Sequence, residues 1–200
     1  MNEKFFDLKK EKQDRMINAA LKVFASGGYA HASTDEIVKE AGISKGLLFH
    51  YFISKLGLYS FIYDYSVRYI MLELSTGVSP QETDFFELLL QIKHSHLQAM
   101  KNYPYILRFI NKSREEKVGE ALLETQERRD VLPARYGEIM ERASLERFRK
   151  DVDVRTVTKM MEFTMDGLME ENFRNSSFQP ELYFGEVRQY LDMMKKLCYT

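Results

Sequence analysis

Tryptophan is absent from this chain, cysteine occurs once and proline four times in 200 residues. The single Cys198 excludes an internal disulfide. It fits a reducing compartment, so a cytoplasmic location is expected. Cys198 itself reads as a small apolar residue near a helix end, since a redox sensor would want a partner thiol. Four prolines and ten glycines leave room for long helices. No stretch reaches the roughly 18 apolar residues that a membrane span needs, so no membrane partner is expected. The opening MNEKFFDLKKEKQDR is dense in charge and lacks the apolar core of a leader. Repeats, low-complexity tracts and long Pro/Gly/Ser linkers are missing as well.

Charge of one sign is also lacking. The formal net charge is -1, with 29 Lys+Arg against 30 Asp+Glu. Residues 1–55 hold nine Lys+Arg and seven Asp+Glu, and the remainder holds 20 and 23, so the front is basic by only two charges. Any affinity for nucleic acid must therefore lean on placed contacts and on two copies, not on bulk charge. Catalytic signatures are missing too: there is no G-x-S-x-G, no P-loop and no H-E-x-x-H. The acidic pairs Glu115-Glu116 and Glu170-Glu171 are adjacent, so on a helix they diverge and suit solvation better than paired acid/base work. His94 and His96, two apart, point to different helix faces and cannot share a metal. The chain is expected not to be an enzyme and to need neither cofactor nor metal.

What the sequence does have is concentrated in STDEIVKEAGISKGLLFHYFISK, residues 33–55. Ser33 followed by Glu36 has the spacing of a capping box. Ile37, Val38 and Ala41 then share one helical face, and Gly42 stands where a helix ends in a left-handed turn. Ser44 caps a second helix whose inner side carries Leu48 and Phe52. Lys45, Gly46, Phe49 and His50 are left facing outward. That face is too polar and too small for a core, and it suits the major groove of double-stranded DNA. Two capped helices around a glycine also occur in proteins with no nucleic-acid partner, so spacing alone leaves both readings open.

The first 60 residues or so resemble the DNA-binding domain of the TetR family of bacterial transcriptional regulators. The resemblance is carried by RMINAALKVFASGGY at 15–29, TDEIVKEAGISKG at 34–46 and LLFHYFISK at 47–55, in order and in spacing. It implies that Lys45, Gly46, Leu47, Phe49 and His50 read base edges or pack on them. Ser33, Thr34, Tyr51 and Lys55 would grip phosphates, and Ser44 joins this set as the cap of the reading helix. Each has a plainer alternative: Tyr51 as half-buried packing, Lys55 as a solvated helix start, Leu47 as a contact to the preceding helix. The chain departs from the family at Phe49, where tyrosine is common, and at Val38, where alanine is common. Asp35 places a carboxylate near the groove, where it serves the helix dipole or accepts from a cytosine amine.

The rest of the chain reads as helical throughout. Helix one spans about 8–26 and ends at Gly27-Gly28, with Met16, Ile17, Ala20, Leu21 and Phe24 as its stripe. Helix four runs from about 54 past 69, and 75–81 must be a loop. Further helices are expected over 82–101, from Pro104 to about 112, over 115–150 with a break or kink at Pro133, over 153–174 and over 180–198, the last two separated by NSSFQP. No segment alternates with period two for long enough to be a strand. The expected fold is all-α, about nine helices, with a helix-turn-helix DNA-binding domain at 1–53 and a larger helical effector-binding and dimerisation domain at 54–200.

The chain holds 11 Met, 14 Phe and 12 Tyr, side chains that adapt to irregular apolar ligands. Tyr65, Tyr69, His96, Met100, Tyr103, Phe109, Met140, Met161 and Phe163 are candidates to line an effector cavity, and an ordinary core is the plainer use for each. The family resemblance implies a pocket for a small-molecule effector. Val157, Met160, Met161, Thr164, Leu168 and Met169 form an apolar stripe on one late helix. Val187, Tyr190, Leu191, Met194 and Leu197 form one on the other. Val157, Met161, Thr164, Leu168, Val187, Tyr190, Leu191 and Met194 are thus the candidate homodimer interface, of the four-helix-bundle kind that the resemblance implies. Such a dimer would read an inverted-repeat operator. The expected function is a DNA-binding transcriptional regulator, a repressor released by a small apolar or amphipathic effector. The alternative is a small helical ligand-binding protein or enzyme whose helix-turn-helix serves protein contact only.

Overall fold

The computed structural model describes residues 3–174 and 178–200. The described residues form a short 3-10 turn at Glu3–Phe5 and ten α-helices: α1 Lys10–His31, α2 Thr34–Ala41, α3 Lys45–Phe52, α4 Lys55–Gly77, α5 Phe85–Asn102, α6 Ile106–Arg114, α7 Gly119–Arg129, α8 Val131–Met140, α9 Val154–Arg174 and α10 Pro180–Cys198. No strand forms among them. Two isolated bridges, Asp84 with Ser144 and Phe148 with Tyr199, are the only β-type pairings in the described residues. The fold is all-α, as expected.

The boundaries shift where local chemistry differs from the sequence reading. α1 continues to His31, but Gly28 lies outside helical geometry at φ 61°, ψ -171°, a region essentially reserved for glycine. α4 runs on to Gly77 and the loop begins only at Val78. The expected helix over 115–150 is two helices, and residues 141–153 form none. The break falls at Asp130, not at Pro133. Pro133 sits in the first turn of α8, where its missing N–H has no helical acceptor to satisfy. Pro180 opens α10 for the same reason. Of the NSSFQP connection, residues 175–177 lie outside the described residues.

The chain packs as two compact units: residues 1–71 with 102–133, and residues 72–101 with 134–200. In the first, Ile17, Leu21 and Phe24 of α1 are buried, as are Ile37 of α2, Leu48 and Phe52 of α3, and Leu58 and Ile62 of α4. Phe109 of α6 meets the rings of Phe24, Tyr59 and Tyr63. In the second, Phe85, Phe86, Phe148 and Tyr199 form one aromatic cluster. Asp84 starts α5 by accepting from the amides of Phe86 and Glu87, both at 3.1 Å. The same carboxylate meets Arg147 at 2.7 Å and Lys195 at 3.4 Å. No helix among the described residues is long and apolar enough to cross a membrane.

Candidate nucleic-acid interface

Both α2 and α3 are preceded by a capping serine. The Ser33 hydroxyl accepts from the Asp35 amide at 3.2 Å, two residues on; the capping-box spacing to Glu36 is not the bond used. Gly42 then ends α2 in the left-handed region, at φ 63°, ψ 43°. Gly42 N–H donates to Lys39 O and Ile43 N–H to Val38 O, at 3.3 and 3.0 Å. These bonds satisfy the last carbonyls of the helix in the manner of a Schellman motif. Ser44 starts α3 by accepting from the Leu47 amide at 3.2 Å. Three small residues thus cap the turn through bonds to near neighbours in the chain.

Leu48 and Phe52 hold α3 to the core, and Ser44, Lys45, Gly46 and His50 are exposed. A Cβ built on Gly46 would meet nothing within 4 Å. No neighbour in the chain requires glycine there, so its small size is free to serve an approach from outside. Leu47 and Phe49 are half-buried along the flank. Ser33 is exposed and Thr34 half-buried at the start of α2, at the same turn.

Two lysines of the candidate set are already engaged. Lys45 Nζ lies 2.8 Å from Asp35 Oδ1. Lys55 Nζ lies 4.6 Å from the centre of the Tyr29 ring and 3.4 Å from Ala30 O, which places its charge at the end of α1. Tyr51 is only 7% exposed, its ring edge-on to Phe5 and His50. Burial follows from its place on the inner half of α3, one turn from Leu48.

The joint between α3 and α4 is tight. Ile53 has φ 66°, ψ -49° and the Ser54 amide donates to Phe52 O at 2.7 Å. This is a γ-turn with positive φ, a strained form, and a β-branched residue there is a true outlier. Four residues on from Ile53, a Cβ on Gly57 would fall on the Phe52 carbonyl oxygen, so only glycine lets α4 start so close to the end of α3.

A feature missed in the sequence joins α7 to the head. The non-helical Gly28 leaves the Tyr29 amide without its helical acceptor, and Glu116 Oε2 accepts from it at 2.8 Å. Glu116 Oε1 also takes the amides of Lys117 and Val118, each at 3.0 Å. Burial alone would raise this carboxyl; the three amides and the Arg129 charge outweigh it and hold the group below the usual range. Glu120 Oε1 accepts from Tyr29 Oη at 2.5 Å, Glu124 from Ser60 at 3.1 Å, and Arg128 pairs with Asp64 at 3.0 Å. Burial and the bond to Glu120 push the Tyr29 hydroxyl up to about 12. Glu116, Glu120, Glu124 and Arg128 recur every four residues, the one signal in the sequence that could have found this column.

The candidate effector residues belong to both packing units. In the first unit, Tyr65 and Tyr103 share a hydrogen bond at 2.6 Å, and Tyr103 Oη donates to Asp14 at 2.6 Å. Lys10 reaches Tyr103 Oη at 2.9 Å and also pairs with Asp14. Tyr69 stacks on Tyr65 and accepts from Asn102. Burial raises the Tyr65 and Tyr103 hydroxyls. Phe109 sits apart from these, in the core. In the second unit, His96 is 8% exposed with Nε2 2.8 Å from Tyr136 Oη. Met100 and Met161 are buried and Met140 half-buried, while Phe163 is 67% exposed. No group of three His, Cys, Asp or Glu among the described residues is placed to hold a metal ion.

Of the candidate interface residues, Val157, Met161, Leu168, Val187 and Leu191 are buried against their own chain. Thr164 and Met194 are half-buried and Tyr190 exposed. The large apolar side chains left exposed on α9 and α10 are Met160, Phe163, Leu182, Tyr190, Met193 and Leu197.

A capped helix pair, turned on Gly42 and presenting the polar flank of α3, defines a helix-turn-helix protein. Residues 16–60 match the model of the bacterial regulatory proteins of the tetR family, so this segment is similar to that family's domain. An uncharacterized HTH-type transcriptional regulator, YuxN of Bacillus subtilis, is 41% identical over 76 residues, 36% of this chain and 26% of that protein. The HTH-type transcriptional activator FasR of Mycolicibacterium smegmatis is 45% identical over 49 residues, 24% of this chain and 22% of that protein. The chain therefore matches about a quarter of the length of these relatives. The fold extends further. A TetR family transcriptional regulator from Chloroflexus aurantiacus superposes with a TM-score of 0.65 at 19% identity, over 100% of this chain and 98% of that one. The fatty acid degradation regulator FadR from Bacillus halodurans gives 0.58 at 22% identity, over 89% and 96%.

Proposed function

We propose that the chain is a DNA-binding transcriptional regulator of the cytoplasm, in which α3 enters the major groove and no chemistry is catalysed. The observation that carries this reading is the α3 flank: a serine-capped helix start, an exposed lysine, a glycine with open space before it and an exposed imidazole, backed by buried Leu48 and Phe52. Lys45, Gly46, Leu47, Phe49 and His50 face base edges, and Ser33, Thr34, Ser44 and Lys55 face phosphates. Tyr51 acts through packing behind His50. Two copies related by a two-fold axis read an inverted repeat whose half-sites lie about one DNA turn apart, roughly 34–36 Å.

The functional division we propose, 1–53 for DNA and 54–200 for effector and dimerisation, differs from the packing units because α4 and the α6–α7 segment pack with the head. The self-association surface is the exposed face of α9 and α10, carried by Met160, Phe163, Tyr190, Met193 and Leu197. The effector is a small apolar or amphipathic molecule, met by the Tyr65–Tyr69–Tyr103 cluster in one unit or by His96, Met100 and Met140 in the other. Its binding lowers DNA affinity, as in a repressor. Coupling of about 1–3 kcal/mol gives a five- to 150-fold shift, and DNA must weaken the effector by the same factor. The test is a gel shift on the DNA upstream of the protein's own gene at two salt concentrations. A retarded, salt-sensitive, saturable complex is expected; no complex at low salt defeats the reading. A relative of the head is named an activator, so the sign of regulation is read from a reporter fused to the bound DNA.

A further inference from the structure

We propose that Phe5, eleven residues ahead of the family-matched segment, is a positioning residue for the reading helix. The inference rests on the DNA reading above and adds the N-terminal arm to the machinery. The Phe5 side chain is 0% exposed. Its ring centre lies 5.7 Å from Tyr51, 5.1 Å from Phe52 and 5.3 Å from Phe61, so it fills the space where the end of α3 meets α4. The arm's backbone is fastened as well. Gln13 Nε2 donates to Phe6 O at 3.1 Å and to Leu8 O at 2.8 Å, and the Asp7 amide donates to Lys4 O at 3.2 Å.

An aromatic wedge at this place matters because α3 is short. Eight residues make a rod about 12 Å long, and a tilt of about 10° at one end moves the other by about 2 Å. A base-edge hydrogen bond does not survive a displacement of that size. The residues that would meet bases lie at the start and middle of α3, and Phe5 holds its end. That end has no relaxed continuation to steady it, since Ile53 is in the strained γ-turn. Base reading therefore depends on Phe5, while attraction to phosphates, which tolerates rearrangement, does not.

The test uses the full chain and two duplexes: one selected from a random-sequence pool by the wild-type protein, and a scrambled duplex of the same composition. The discrimination ratio between them is the readout. Phe5→Ala is expected to lower the ratio by about tenfold, the scale of one good base contact. Binding to the scrambled duplex and its salt slope stay at wild-type values. Phe5→Leu restores most of the ratio, and Phe6→Ala, on the half-exposed neighbour, leaves it unchanged. An unchanged ratio in Phe5→Ala, or equal weakening on both duplexes, overturns the proposal. If Phe5→Ala melts below the assay temperature, Phe5→Leu decides: a severalfold fall in ratio supports the role and an unchanged ratio refutes it. Failure of the wild type to select any duplex is a separate result, and it removes the DNA reading itself.

Discussion

Lys45 Nζ stands 2.8 Å from Asp35 Oδ1, so the ammonium proposed to meet DNA is already paired across the turn between α2 and α3. Both partners are largely exposed, and such pairs contribute only about 0–1 kcal/mol. The bridge can open when DNA arrives. Lys45→Ala is expected to weaken operator binding by roughly tenfold with little change in melting temperature. Asp35→Asn is expected to tighten it by roughly threefold, within the range of an exposed pair, because the lysine is released and a carboxylate near the phosphates is removed. Fluorescence anisotropy titrations on a labelled operator measure both. Tighter binding by Lys45→Ala would remove this residue from the interface.

Lys55 rests on the Tyr29 ring and beside the last carbonyls of α1. If it then serves one phosphate, Lys55→Ala should flatten the dependence of log K on log salt by about one unit. The measurement is a salt titration of operator affinity. An unaltered slope would leave Lys55 as a helix-end residue.

Gly57→Ala tests the α3–α4 joint. The added methyl falls on the Phe52 carbonyl, a backbone atom that cannot swing aside, and the link between them is already strained at Ile53. The expected loss is about 1–3 kcal/mol, read from urea denaturation, with operator affinity falling as well. An alanine variant of wild-type stability would show that the two helices part without cost.

Acid should loosen the fold at two carboxylates. Glu116 is held below its ordinary value of 4.5, and Asp84 below 3.8. For Asp84, burial opposes ionisation, but the Glu87 amide and the Lys195 charge overcome it. A carboxyl whose folded value is depressed binds its proton more readily in the unfolded chain. Its stabilisation is therefore complete above the unfolded value and is lost as pH falls through the folded one. Unfolding midpoints in urea should stay level above about pH 5 and drop below about pH 4. Glu116→Gln and Asp84→Asn should each be less stable at neutral pH and show a shallower acid drop.

Phe163 lies open on α9, away from any core. If the exposed face of α9 and α10 joins two copies, Phe163→Glu should give a monomer with unaltered helix content by light scattering and circular dichroism, and operator affinity should fall with the lost second head. Retention of a dimer would move the interface elsewhere.

The helix-turn-helix was legible in the sequence because its determinants are local. Ser33, Gly42 and Ser44 act on amides and carbonyls within five residues of themselves, and the outward flank of α3 follows from helical spacing once Leu48 and Phe52 are placed. Helical class followed equally from period and from scarce proline. What the sequence alone did not settle depends on residues far apart in the chain. Apolar stripes on α9 and α10 mark buried faces, but spacing does not tell burial in the monomer from burial against a second copy; tertiary packing assigned Val157, Met161 and Val187 to the former. The aromatic and methionine residues that composition offers for a cavity belong to both packing units, and composition carries no distances. Pairing of Glu116 with the Tyr29 amide, of Glu120 with its hydroxyl, and the seating of Phe5 under α3 link positions dozens of residues apart. Such contacts exist only once the chain has folded back on itself, and no local rule encodes which partner each side chain will meet.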